Sequence, residues 1–371
     1  MNPFRYGQVV KGKDFCRRPE LVTGLSAQIL RGQNVYIQGE RRTGKTSLIF
    51  ETVRNLPKFR MVWIDLLGSK TSDDVLKRIL TAVMSIETGS GFLDTILRKL
   101  SHMKPVVGVD PITGLLTLSV DAAVELKPDS IAGILDLIAS QHSKRKPLAV
   151  VFDEFQDIMS LKDAPETLAQ LRSKIQFQSD ISYVFAGSIR KKMDAIFNDP
   201  DSAFFKSAVP IHVGPLNRDI FETFIRDKFR IGKRTLTPET LGAVFDICFH
   251  IPGDIQQLCS ALWETTDRDE TIAASSIPAA LDLIFTQELK GYETILTVVS
   301  SQQLKLLTAL ARLGGKAPMA TAFLKNSGIP QASSVRRGLG RLMALRIIFH
   351  YEAEYRFVNP FFRAWLLHKK L

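Results

Sequence analysis

Gly39-Glu40-Arg41-Arg42-Thr43-Gly44-Lys45-Thr46 reads G-x-x-x-x-G-K-T, and every other element is placed by reference to it. A short β-rich run, Asn34-Val35-Tyr36-Ile37-Gln38, precedes it. Ser47-Leu48-Ile49-Phe50-Glu51-Thr52-Val53 continues beyond it as a helix. Strand, glycine loop and helix in that order are the context of a phosphate-binding loop. Gly39 and Gly44 let the backbone turn tightly, so that the N–H groups from Gly39 to Ser47 point at phosphate oxygens. The positive end of the helix adds to them. Lys45 would reach the β- and γ-phosphates of ATP, and the Thr46 hydroxyl would ligate Mg²⁺.

The strand that completes such a site is Leu148-Ala149-Val150-Val151-Phe152-Asp153-Glu154. Its apolar run suits a buried parallel strand, and its two carboxylates sit at the carboxyl end, where open α/β sheets bind ligands. Asp153 would hold Mg²⁺ through its water shell, and Glu154 would polarise the attacking water. Ile181-Ser182-Tyr183-Val184-Phe185-Ala186-Gly187-Ser188 reads as the neighbouring strand. Ser188 at its end is either a γ-phosphate sensor or a plain strand-end serine. Arg190, in Arg190-Lys191-Lys192, is a solvated helix residue or a cation offered to a phosphate in the same or a neighbouring subunit.

Around these strands the pattern is α/β. A strand is expected over 59–66, a helix opened by residues 17–21, with Pro19 suited to its first position, and running to about 30, helices over 72–86, 130–142 and 165–178, and a closing strand over 209–213. A hairpin of 106–109 and 115–120 is expected around Asp110–Gly114, as decoration of the sheet edge or as a contact to another subunit. The first twenty residues are packed by their aromatics or close over the adenine. From Asn217 apolar spacings of three and four predict helices near 218–230, 238–249, 254–267 and 276–290, a lid on the core. His250-Ile251-Pro252-Gly253-Asp254-Ile255 would open one of them with N–H groups turned to the nucleotide. A short connection near 290–296 leads to helices near 301–313, 318–326 and 331–346. Two strands follow, 347–350 and 355–358, on either side of a turn: a winged helix.

Charge is concentrated at the end of the chain. The net charge is +11, and residues 297–371 hold 12 Lys/Arg against the two acids Glu352 and Glu354. Such asymmetry points to a terminal domain with a polyanionic partner, or at least to a basic tail. Lys325, Arg336, Arg337, Arg341, Arg346 and Arg356 are the candidate contacts to duplex DNA, with Arg336, Arg337 and Arg341 expected on or near one face of helix 331–346. A face turned to water or to a partner protein is the alternative. Cys16, Cys248 and Cys259 form no C-x-x-C pair and suit a reducing compartment. With no charged-then-apolar leader and no long apolar run, a cytoplasmic protein without a membrane partner is expected.

Three stretches carry a resemblance to a known family. The loop with its Arg41-Arg42 and Ser47-Leu48, the strand end Asp153-Glu154-Phe155-Gln156, and Asn359-Pro360-Phe361-Phe362-Arg363 with Trp365 together resemble the archaeal-type ATPases. These are AAA+ relatives close to the STAND ATPases, with a C-terminal winged helix. The resemblance implies an α/β P-loop core with a parallel sheet over 1–215, a helical lid over 216–290 and a winged helix over 291–371. It also implies phosphate and Mg²⁺ at Lys45 and Thr46, a Walker B pair at Asp153 and Glu154, and a sensor at Ser188. One departure stands out: Pro252-Gly253-Asp254-Ile255-Gln256-Gln257 offers no arginine where related lid helices often carry one. The function expected is an Mg-dependent ATPase switch binding ATP and ADP, whose winged helix meets DNA, a partner protein or another copy of the chain. A nucleotide-stabilised DNA-binding or scaffold protein with negligible turnover is the alternative.

Overall fold

The structure, a computed structural model, describes residues 1–84, 105–109, 116–120, 130–188, 190–351 and 353–369. Two compact units divide the chain: Val9–Pro215, and Leu216–Leu371 together with Met1–Gln8. The first eight residues, expected with the core, group instead with the helical part.

In Val9–Pro215 five parallel strands form one sheet: β1 (Val35–Gln38), β2 (Arg60–Asp65), β5 (Leu148–Asp153), β6 (Ser182–Gly187) and β7 (Val209–His212). Their order is β2-β5-β6-β1-β7, so the loop strand β1 lies between β6 and β7. A side-chain period of two assigns each strand's residues to opposite faces. Tyr36, Val62, Ile64, Val150, Phe152, Tyr183 and Phe185 join one core with α3 (Ser72–Met84), α4 (Ser130–Ser140) and α5 (Ala164–Ile175). Val35, Ile37, Ala149, Val151, Val184 and Ala186 join the other with α1 (Pro19–Leu30) and α2 (Lys45–Arg54). Each fully buried ring of the first core contributes about 1.5–3 kcal/mol. The hairpin forms as a separate antiparallel pair, β3 (Pro105–Val109) with β4 (Leu116–Val120). The residues of its turn lie outside the described ones.

The second unit begins with α7 (Arg218–Ile231), α8 (Pro238–Ile247) and α9 (Pro252–Glu264), with a small parallel pair of β8 (Thr235–Leu236) and β9 (Thr271–Ile272). Asn2 donates to Ser260 Oγ (2.9 Å) and Glu264 Oε1 (2.8 Å), and the buried Phe4 ring packs tilted against Phe229, 4.7 Å between centroids. The short connection expected near 290–296 is absent. A single 22-residue helix, α10 (Ile277–Val298), runs through it. It continues because Tyr292 is an apolar-face residue, buried against Phe362 and Trp365.

The winged helix comprises α11 (Ser301–Leu313), α12 (Thr321–Ser327) and α13 (Ala332–Ala344), then the antiparallel β10 (Ile348–Tyr351) and β11 (Glu354–Phe357). A reciprocal box of Ser300 and Gln303 caps α11. A further helix, α14 (Pro360–His368), starts at Asn359, whose Oδ1 accepts from Phe361 N (2.8 Å) and Phe362 N (3.2 Å). Among the described residues no helix is long and apolar enough to cross a membrane.

Candidate functional site

The loop leaves β1 and enters α2 through Gly44, whose φ of +89° an L side chain rarely adopts. At Gly39 a Cβ would run into the carbonyl oxygen of Val213, so the close approach of the backbone there requires glycine. Arg42 also holds a positive φ, +64°, and with Arg41 it is exposed. Thr43 is buried and donates to Glu40 O at 2.8 Å, pinning the loop across its own turn.

Lys45, only 7% exposed, lies back along the loop with Nζ donating to Gly39 O and Glu40 O, both at 2.8 Å. Burial pulls its pKa down to about 8, and the carboxylates of Glu154, Asp153 and Glu40 act against that fall. At the end of β5 Asp153 Oδ2 accepts from Thr46 Oγ1 at 3.0 Å, and Oδ1 accepts from Glu154 N at 3.0 Å. Burial pushes Asp153 up to about 6, against these hydrogen bonds, and the nearby charges of Glu154 and Asp65 add to the rise. A half-buried hydroxyl–carboxylate pair, both hard oxygens, fits a Mg²⁺ shared with phosphate and water; the donor set suits the cation the sequence implies.

Glu154 occupies the left-handed region, φ +50° and ψ +37°, a strained conformation of the kind that gathers at functional sites. Its Oε2 accepts from Ser188 Oγ at 3.2 Å and from Gln156 Nε2. Gln156, 1% exposed, also accepts from Ser188 N at 3.0 Å through Oε1. Ser188 thus stands beside the Asp153 strand as expected, and Gln156 bridges the two strand ends. Sequence reading held Gln156 only in reserve, as a water-positioning group should Glu154 fail; its place two residues after Glu154, on the short 3-10 helix Phe155–Ser160, was the available signal.

Arg18 was missed entirely. Buried, it donates to Thr43 O and Gly214 O, each at 2.8 Å, tying the loop to the segment after β7. Burial lowers its pKa to about 10. Ser47 faces the other way, accepting from Val10 N at 3.1 Å. Arg190 opens α6 (Arg190–Phe197), and its side chain lies outside the described residues.

In the second unit Lys325, Arg336, Arg337, Arg341 and Arg346 are exposed. Arg356 is engaged: it donates to Glu354 Oε2 at 2.7 Å and packs over Tyr351 and Phe249. Arg363 packs over the same Phe249 ring.

Residues 290–368 match the family described as "Probable winged helix domain". No curated protein matches the chain. Among solved structures, a Walker-type ATPase of Pyrococcus abyssi is 17% identical with a TM-score of 0.65, over 98% of this chain and 99% of that one. The Aeropyrum pernix ORC1 protein, solved in complex with DNA, is 12% identical with a TM-score of 0.52, over 97% and 96%. The Aeropyrum pernix ORC2 protein, solved in ADPNP–ADP complexes, is 12% identical with a TM-score of 0.50, over 96% and 95%. The fold, a parallel α/β sheet followed by helices and a C-terminal winged helix, is the one these Walker-type ATPase and ORC structures share. At such identities the likeness is one of fold, and the resemblance read from the motifs stands at that level.

Proposed function

We propose that this chain is an ATP-binding and ATP-hydrolysing switch of the AAA+ kind, whose winged helix binds duplex DNA. The observation that carries the reading is the convergence of Lys45, Thr46, Asp153, Glu154 and Ser188 at the carboxyl ends of β1, β5 and β6. Gly39 to Ser47 would cradle the phosphates, with Glu40, Arg41, Arg42 and Thr43 forming the turn. Lys45 would leave its two carbonyls for the β- and γ-phosphates. Thr46 and Asp153 would hold Mg²⁺, which when bound neutralises phosphate charge. Glu154 would accept the proton of the attacking water, with Ser188 and Gln156 orienting its carboxylate. Lys325, Arg336, Arg337, Arg341, Arg346 and Arg356 would supply the basic face for DNA, supported by the charge of the domain and by a similar fold solved with DNA.

A second reading, a nucleotide-stabilised DNA-binding or scaffold protein with negligible turnover, is favoured by two features. Glu154 is held by two hydrogen bonds rather than free, and the lid helix opens without an arginine. Multiple-turnover phosphate release with and without duplex DNA separates the two. The switch reading expects turnover that Lys45→Ala abolishes along with tight ATP binding. ATP bound as tightly by Lys45→Ala as by the wild type would remove the loop assignment.

A further inference from the structure

In the winged helix a cavity of about 320 Å³ opens between α11 and α13. Leu306 and Ile329, both buried, give it apolar wall, while Gln302, Ser334, Arg337 and Arg341 bring polar groups to it. Ser334, Arg337 and Arg341 recur at three and four residues, so they form one stripe of α13. No acid lines the cavity, and among the described residues neither arginine has an ion-pair or hydrogen-bond partner. Arg337 and Arg341 stand one turn apart, about 6 Å along the axis. Arg336 is not part of the lining. At about 100° per residue it points roughly 100° away from Arg337 and 140° away from Arg341. The three arginines expected on or near one face therefore divide into a pair and a single.

We propose that this cavity is a seat for a phosphate ester, bound jointly by Arg337 and Arg341, with Arg336 outside it. Guanidinium forks match phosphate oxygens in a bidentate geometry. The volume is that of a small ligand pocket, about 300 Å³ or more, rather than of a bare anion. The excess space beside Leu306 and Ile329 suits the sugar that carries the phosphate. The ester comes from a strand of duplex DNA, in which case the seat rests on the function proposed above, or from a free sugar phosphate.

The test uses the full chain saturated with ADP, as wild type, as Arg336→Ala and as the pair Arg337→Ala with Arg341→Ala. Both arginines of the pair are exposed, so unchanged thermal unfolding serves as the folding control. Labelled duplex is titrated across a salt series, and ribose 5-phosphate is added both as competitor and alone in calorimetry. Because the pair shares one phosphate, the pair variant should flatten the log–log salt slope by about one unit. Ribose 5-phosphate should weaken duplex binding by the wild type and Arg336→Ala, and not by the pair variant. If no form binds duplex while ribose 5-phosphate binds the wild type and not the pair variant, the seat stands as one for free esters and the DNA reading falls alone. If duplex binds but the pair variant keeps the wild-type slope and the same response to ribose 5-phosphate, the seat is overturned and the DNA reading survives. Binding of neither probe overturns both.

Discussion

Lys45 carries a charge that its surroundings oppose. Its pKa of about 8 in the fold lies below the roughly 10.4 of an unfolded lysine. Between those values the unfolded chain holds the proton more often, so Lys45 makes the ligand-free protein more stable as pH rises through that window. Asp153 runs the other way. At about 6 it lies above the ordinary value near 3.9, so it opposes folding as pH climbs from about 4 to 6. A phosphate beside Lys45 favours its ammonium form. ATP binding at pH 8.5 should therefore take up a proton, read by calorimetry in two buffers of different ionisation enthalpy, and the uptake should fade toward pH 7. Zero uptake at pH 8.5 would mean that Lys45 does not meet the phosphates. Glu154→Gln preserves shape and removes the base, so ATP should still bind while phosphate release falls by about 10²-fold or more. Gln156→Ala should also slow release, because Glu154 and Ser188 lose their shared partner, with little change in ATP affinity. Wild-type release in both variants would reassign the proton acceptor.

At the scale of elements, the start of α14 shows how a short motif does two jobs. Asn359 caps the helix with Oδ1, while its Nδ2 donates to Glu288 Oε2 at 2.6 Å. Glu288 on α10 also accepts from Gln257 of α9 (2.6 Å) and from Tyr292 (3.1 Å), so one carboxylate joins three helices. Asn359→Ala loses a cap worth about 1 kcal/mol and a charge-assisted bond of similar or greater size. Capping preference alone rates aspartate equal to asparagine. Asn359→Asp should nevertheless destabilise the protein, because it sets a second carboxylate against Glu288. Urea unfolding at pH 7 and pH 4.5 should show the deficit shrinking in acid. A deficit equal at both pH values would mean that repulsion with Glu288 is not the cause.

At the scale of the whole chain, residues 1–8 and 216–371 form one unit and 9–215 the other, so the backbone passes between units twice. Phe4 is buried among Phe229 and Trp263, and Lys228 Nζ donates to Pro3 O at 2.7 Å. Phe4→Ala should cost about 3 kcal/mol. That loss should fall on the second unit: hydrogen exchange should rise in 216–371 and stay near wild type in 9–215. Equal loosening of both units, or none, would show that Phe4 does not anchor this segment.

Much of the fold follows from local signals. Short continuous apolar runs place β1, β2, β5 and β6, and the glycine spacing places the loop, because both depend on neighbours within a few residues. The basic end of the chain is a matter of composition alone. What needed the tertiary structure is whatever depends on residues far apart in sequence. Arg18 reaches Thr43 and Gly214 only once the sheet has formed, and Gln156 meets Ser188 only because β5 and β6 are neighbours. Helix α10 runs past the expected break because Tyr292 is buried by α14, which lies some seventy residues on and gives no local sign at 290–296. Arg336 parts from Arg337 and Arg341 because the packing of α11 on α13 leaves a cavity on one side of the helix, and a count of charges carries no direction. The chemistry of the loop was written in adjacent residues; its electrostatics, the lowered Lys45 and raised Asp153, came from burial that only the assembled core imposes.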